Sequence, residues 1–220
     1  MLEFQKVYRR ALKLSTLVFP DYHPEIQVIQ PFPIPLEYDI YIGMDMGYIN
    51  PSVAAWCAVS KEYDVFVYRE LYKTQIAMSE FDEIVDAYTK TKHVAGYIRD
   101  EYRVRVDERY HIMNSFITNA FRPSSVSFSQ ETNKFSVKTG RVFFFDKLGI
   151  VTDTNLSREG HPTSILEEMP RLMLDRFGKL PERPANHAID ALSRVLHYIY
   201  TKKPRIIGRF NWDDSPINEW

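Results

Sequence analysis

Asp45 lies in Ile42-Gly-Met-Asp-Met-Gly47, an acid inside an apolar stretch flanked by two glycines. A carboxylate in such a setting is costly unless it is paired or bound to a metal. The glycines leave room for a bulky ligand or a phosphate to approach the backbone. Asp107 closes Val104-Arg-Val-Asp107, where an acid also serves as a plain turn former. Asp190 lies in Asn186-His-Ala-Ile-Asp-Ala-Leu192. If that segment is helical, His187 and Asp190 share one face and Arg194 follows four residues on. Asp190 then falls near the helix N-terminus, where the dipole helps hold a carboxylate ionised. An ordinary Asp–Arg pair with a satisfied histidine remains the alternative for this segment.

Taken together, three acids on two strand ends and one late helix suit hard divalent cations, which take oxygen ligands and keep several waters. Two such ions about 3.5–4 Å apart can activate a water and stabilise the leaving oxygen of a phosphodiester. Cys57 is the only cysteine, so neither a disulfide nor a multi-cysteine zinc site is available, and magnesium or manganese is expected. His93, His111, His161 and His197 show no metal-binding spacing. Asp100 competes with Asp107 as the middle acid, but it falls in a stretch that reads as a solvated helix face.

These residues need elements to hold them. Residues 20–38 contain Pro20, Pro24, Pro31, Pro33 and Pro35 and read as an extended strap after an N-terminal helix. Tyr38–Gly43, Ser52–Val59 and Tyr63–Tyr72 read as three strands of an antiparallel meander. Phe81, Ile84, Val85 and Tyr88 repeat at helical spacing, and a helix is predicted from Glu80 to about Arg103, with Ser79 as its cap. A short strand over Val104–Val106, a helix over Tyr110–Phe121 and a buried strand over Arg141–Phe145 follow. Residues 124–140 between them read as a loop or hairpin. Ser164–Phe177 is predicted helical with Pro170 inside it, and Asn186 caps a last helix running to about Tyr200. The order gives an α/β fold, a mixed sheet with helices on its faces. Three parts are expected: residues 1–37 as helix and Pro-rich linker, 38–201 as the functional domain, and 202–220 as a loosely held tail.

Composition bounds the rest. With 45% hydrophobic and 14% aromatic residues, the 220-residue chain can bury a sizeable core. The formal net charge of −1 makes any nucleic-acid face local. No run approaches the ~20 apolar residues of a membrane span. A signal-peptide core is lacking, and so is a G-x-x-x-x-G-K-[ST] phosphate loop, which excludes ATP hydrolysis through that motif.

Three segments resemble the nuclease domain of large terminase subunits, the packaging motors of tailed phages. They are Gln30-Pro-Phe-Pro-Ile-Pro35 with Tyr41-Ile-Gly-Met-Asp-Met-Gly47 and Pro51-Ser-Val-Ala-Ala55; Val106-Asp107; and Asn186-His-Ala-Ile-Asp-Ala-Leu192. The resemblance implies an RNase H-like fold and two-metal endonuclease cleavage of double-stranded DNA. It makes Asp45, Asp107 and Asp190 the metal ligands, assisted by His187. Two departures stand out: Glu108 follows the middle acid where proline is common, and Asn186 replaces the usual acid beside the histidine. The terminase ATPase domain is absent from these 220 residues. An ATPase domain, a small terminase subunit and a portal protein are the implied partners, and the cytoplasm of a phage-infected host is the implied location.

DNA phosphates call for nearby Lys or Arg. Arg105 and Arg109 flank Asp107, and Lys134, Lys138, Arg141 and Lys147 surround the polar hairpin, so these six are the candidate contacts. Glu167 and Glu168 could offer an extra carboxylate, but they read better as a surface helix. Two other functions fit the same residues: a different RNase H-like phosphoryl-transfer enzyme (resolvase, transposase or integrase), and a catalytically degenerate domain that docks packaging proteins.

Overall fold

Eight consecutive residues, Ser52 to Val59, are all buried, which marks a strand covered on both faces. It is the centre of the sheet. The computed structural model describes residues 16–89, 94–99, 104–121, 126–129, 134–137, 140–149, 151–152, 160–181, 185–202 and 206–209. The predicted N-terminal helix therefore lies largely outside the described residues.

The strands are β1 (Val28–Ile29), β2 (Asp39–Asp45), β3 (Ser52–Val59), β4 (Val65–Lys73), β5 (Val94–Ile98), β6 (Val126–Ser129), β7 (Lys134–Val137), β8 (Val142–Phe145), β9 (Val151–Thr152) and β10 (Ile206–Arg209). The helices are α1 (Pro24–Gln27), α2 (Met78–Thr89), α3 (Val106–Asn119), α4 (Ile165–Glu168) and α5 (His187–Lys202). The main sheet runs β1-β8-β4-β3-β2-β5, with β9 also on β4. The β2–β3–β4 meander is antiparallel, while β5 joins β2 and both β8 and β9 join β4 in parallel. It is the mixed α/β sheet expected from the order of elements.

Alternation along the strands divides the core in two. Tyr41, Val53, Ala55, Cys57 and Val67 point to the face covered by α3, α4 and α5. Ile42, Met44, Ala54, Trp56 and Leu71 point the other way, where Phe81 and Val85 of α2 meet them. Helices thus cover both faces. By the same period of two, Asp45 falls on the face of Tyr41 and Gly43, beneath α5. Gly43 lets the helix come close: a Cβ there would collide with the Ala191 carbonyl oxygen and lie 2.7 Å from a Val195 methyl.

Several local expectations are corrected. The predicted helix of residues 80–103 is two elements. α2 ends at Thr89, where the helical apolar spacing stops, and Val94–Ile98 is β5, the parallel neighbour of β2. The short strand predicted to end at Asp107 is instead the first turn of α3, where Asp107 and Glu108 favour the helix dipole. The helix predicted over Ser164–Phe177 is one turn, α4, followed closely by Pro170. The hairpin in residues 124–140 does form, as β6 and β7. The tail read as loosely held contributes β10, which pairs with β7. The Pro-rich strap packs on the fold: Phe19, Tyr22 and Gln27 are buried, and Gln27 Nε2 donates to the Ile117 carbonyl at 3.1 Å.

Candidate active site

The site is built where the C-terminal end of β2 meets the first two turns of α5. The apolar stripe Ala188, Ile189, Ala191, Leu192, Val195 and Leu196 is fully buried, and it seats α5 on the sheet. Burial of each larger side chain contributes about 1.5–3 kcal/mol. That seating aims His187, Asp190 and Arg194, spaced at i, i+3 and i+7, towards Asp45 and the start of α3.

Asp45 is gripped from α5 at both oxygens. His187 Nδ1 donates to Oδ2 at 3.0 Å, and Arg194 Nη1 donates to Oδ1 at 2.7 Å and to the Met44 carbonyl at 2.8 Å. Burial alone would raise this carboxyl. The His187 hydrogen bond and the Arg194 charge outweigh it and hold Asp45 below the usual carboxylate range. The partner responds in kind: burial lowers the His187 imidazole, but the bond to Asp45 and the charges of Asp45, Glu168 and Asp190 raise it overall.

Asp190 is held by α3. Tyr110 Oη donates to its Oδ1 at 2.9 Å, and Arg109 Nη2 stands 3.5 Å from the same oxygen. Arg109 also donates to Ser193 Oγ at 3.0 Å. Burial, helped by the charge of Asp45, lifts Asp190 above the usual range against the pull of Arg109 and Tyr110. The two acids therefore sense each other. Their side chains are 17% and 18% exposed, open enough to be reached and closed enough to concentrate charge.

Asn186, expected as the cap of α5, sends its amide to Tyr110 Oη at 2.6 Å instead. The capping comes from Glu168 of α4, whose Oε2 accepts from the Ile189 amide at 3.0 Å and whose Oε1 accepts from Tyr72 Oη at 2.9 Å. Glu168 is 0% exposed, not on a surface helix, and burial pushes it up to about 7. Behind it, Glu70 of β4 accepts from Ser164 Oγ at 2.9 Å and the Ile165 amide at 3.0 Å, and burial pushes it up to about 8.

Asp45, His187 and Asp190 thus come together. Asp107 does not join them: its side chain is 70% exposed and paired with Arg105, two residues away. It lines a cleft of about 500 Å³ with Val18, Tyr110, Leu174 and Lys179. Asp100 lies outside the described residues. Among the described residues no three His, Cys, Asp or Glu side chains converge as a metal-binding group.

The basic candidates also divide. Arg109 is buried against α5, and Arg141 is bound through its guanidinium to the carboxylate of Asp64. Both guanidiniums are thus engaged within the fold, that of Arg109 buried and that of Arg141 partly exposed. Arg105 and Lys147 are exposed, Lys134 lies in β7, and Lys138 is outside the described residues. Two residues of the site, Tyr110 and Glu70, carry no signal in the sequence that assigns them to it, and Glu168 is legible there only as a possible extra carboxylate. Arg194 is legible only as a helical neighbour of Asp190.

No protein-family model and no curated protein sequence matches the chain. Solved structures do. The large terminase of a thermophilic bacteriophage, in complex with ADP, matches with a TM-score of 0.62 at 12% identity, over 84% of this chain and 45% of that one. The P22 large terminase nuclease domain matches with a TM-score of 0.51 at 16% identity, over 86% of this chain and 93% of that domain. The fold is that of a phage large-terminase nuclease domain. This terminase-nuclease fold is of the RNase H-like α/β kind, as the sequence resemblance implied. The chain spans less than half the length of the thermophilic-phage terminase it matches. No described helix is long and apolar enough to cross a membrane.

Proposed function

We propose that this chain is a divalent-metal-dependent endonuclease domain that cuts double-stranded DNA as the nuclease part of a viral packaging terminase. One observation carries the reading: Asp45 and Asp190, on a strand end and a late helix, converge beside His187. Two partly exposed carboxylates fit a hard cation, and each carboxylate keeps lone pairs beyond those already engaged. Magnesium or manganese, as one or two ions, would activate a water and stabilise the leaving oxygen.

Asp45 and Asp190 would hold the metal. Asp107 is unsuited, since it is exposed and tied to Arg105. Asp100 is the better third ligand by position in the chain. It follows Ile98 by two residues, and Ile98 pairs with Gly43, which Asp45 follows by two. His187, held through Nδ1, has its second ring nitrogen for passing a proton to the departing oxygen. Arg194 and Arg109 offset the crowded negative charge. Arg105, Lys147, Lys134 and Lys138 would track the DNA phosphates. The implied partners remain an ATPase domain, a small terminase subunit and a portal protein, in the cytoplasm of an infected host.

The purified chain is expected to nick supercoiled plasmid with manganese or magnesium, and Asp45→Asn is expected to abolish nicking while the fold survives. Equal activity in that variant defeats the assignment. A second reading, a degenerate docking domain, rests on the middle acid Asp107 being exposed and tied to Arg105. Calorimetry that detects no manganese binding at millimolar metal would decide for it.

A further inference from the structure

Glu70 and Tyr72 are two apart on β4 and reach towards the same side of the sheet. On that side both meet α4, in opposite senses. Glu70 accepts from the start of α4 through Ser164 and Ile165, and Tyr72 donates to Glu168 at its end. Glu168 then reaches on to α5. The three buried side chains form a relay from the sheet, through a single helical turn, to the first turn of the helix that carries His187 and Asp190.

The place where the relay ends is specific. The third amide of α5 belongs to Ile189, and a side chain at position 186 ordinarily satisfies it. Asn186 has turned away to Tyr110, so that amide is satisfied from another element. Both Glu168 oxygens have donors, as those of Asp45 do, but Glu168 is fully buried where Asp45 is partly exposed, so it is Glu168 that is poorly placed to be a ligand. A fully buried carboxylate is expensive, and here the expense falls on orienting backbone beside two reactive side chains.

We propose that Glu168 is a positioning residue of the phosphodiester-cleaving site: it fixes the first turn of α5, and with it His187 and Asp190, while Glu70 and Tyr72 fix Glu168. This rests on the nuclease reading above. It adds a layer that touches neither DNA nor metal and yet sets how well metal is held.

Glu168→Gln in the full chain keeps the volume but loses one acceptor. The expected result is faster hydrogen exchange at the Ile189 amide, with Leu196 unchanged. The manganese concentration for half-maximal nicking should rise about tenfold, as is typical when the support of a metal ligand is lost. Tyr72→Phe, which removes only the hydroxyl, should shift it less and in the same direction. Exchange at Ile189 and a manganese requirement both equal to wild type in Glu168→Gln would overturn the proposal. If that variant does not fold, an unshifted Tyr72→Phe overturns it instead. A wild-type chain that fails to nick at any manganese concentration sinks the nuclease reading, whereas the exchange comparison still decides whether Glu168 sets the turn.

Discussion

Asp45 and Asp107 are both acids beside an arginine, yet their surroundings have little in common. Asp45 is mostly buried, and its partners come from a helix well over a hundred residues later in the chain. Asp107 is exposed, and its partner is two residues away. The pair at Asp107 forms wherever the local chain goes, and solvent screens it. The pair at Asp45 exists only when β2 and α5 are docked. Partners brought from distant parts of the chain mark a built site, and a local ion pair does not.

The comparison can be broken most directly by removing charge. Asp45→Asn and Asp190→Asn should each cut manganese-supported nicking by about three orders of magnitude, since metal stabilisation contributes several kcal/mol to the barrier. Asp100→Asn should approach that loss, whereas Asp107→Asn should leave the rate at the wild-type value. A reversal between these two, read in the same plasmid assay, would move the middle ligand back to the α3 terminus.

Stability gives the next largest effect. Arg194→Met leaves Asp45 buried without its guanidinium and should destabilise the fold by about 3–5 kcal/mol in urea titrations. Arg105→Met, at the other acid, should not move the urea midpoint. A comparable loss in both would show that burial does not distinguish the two pairs.

A smaller effect depends on pH. His187 is raised above its ordinary value of 6.5. Its bond to Asp45 therefore stabilises the fold fully below 6.5 and is lost as pH rises through the folded value. Asp45 is lowered from 3.8, so its share is present above 3.8 and lost as pH falls through its own folded value. The stability gap between wild type and His187→Gln should be widest between those limits and narrow on the alkaline side. A gap that widens from about pH 6 to about pH 9 would contradict the pairing. The smallest effect concerns salt: about 0.5 M sodium chloride should leave the Arg194→Met penalty largely intact, because buried pairs are poorly screened.

Much of this is legible in the sequence because the signals are local. The apolar run Ser52–Val59 is a strand by composition, and Asn186–Leu192 shows its helical stripe and its acid together. Asp45 stands out as a charge among apolar neighbours. What fails depends on distant partners. Val94–Ile98 is five residues long, follows a strong helix and includes Gly96, and it is a strand because β2 lies beside it. Reading it as helix puts Asp100 on a solvated face and promotes Asp107. Glu70 sits between Arg69 and Leu71 like any polar strand residue. Only Ser164 and Ile165, more than ninety positions on, reveal that it is buried.

The close approach at Gly43 carries a mechanical consequence. Strand and helix touch there mainly through backbone: the Ala191 carbonyl is the nearest obstacle, and the only side chain among the nearest contacts is Val195, held in the buried stripe of α5. One added methyl would act as a wedge, two residues from Asp45 along the strand and one residue from Asp190 along the helix. The gap between the two carboxylates would open without either being altered. The gauge of the site is set by a hydrogen atom where every other amino acid carries carbon.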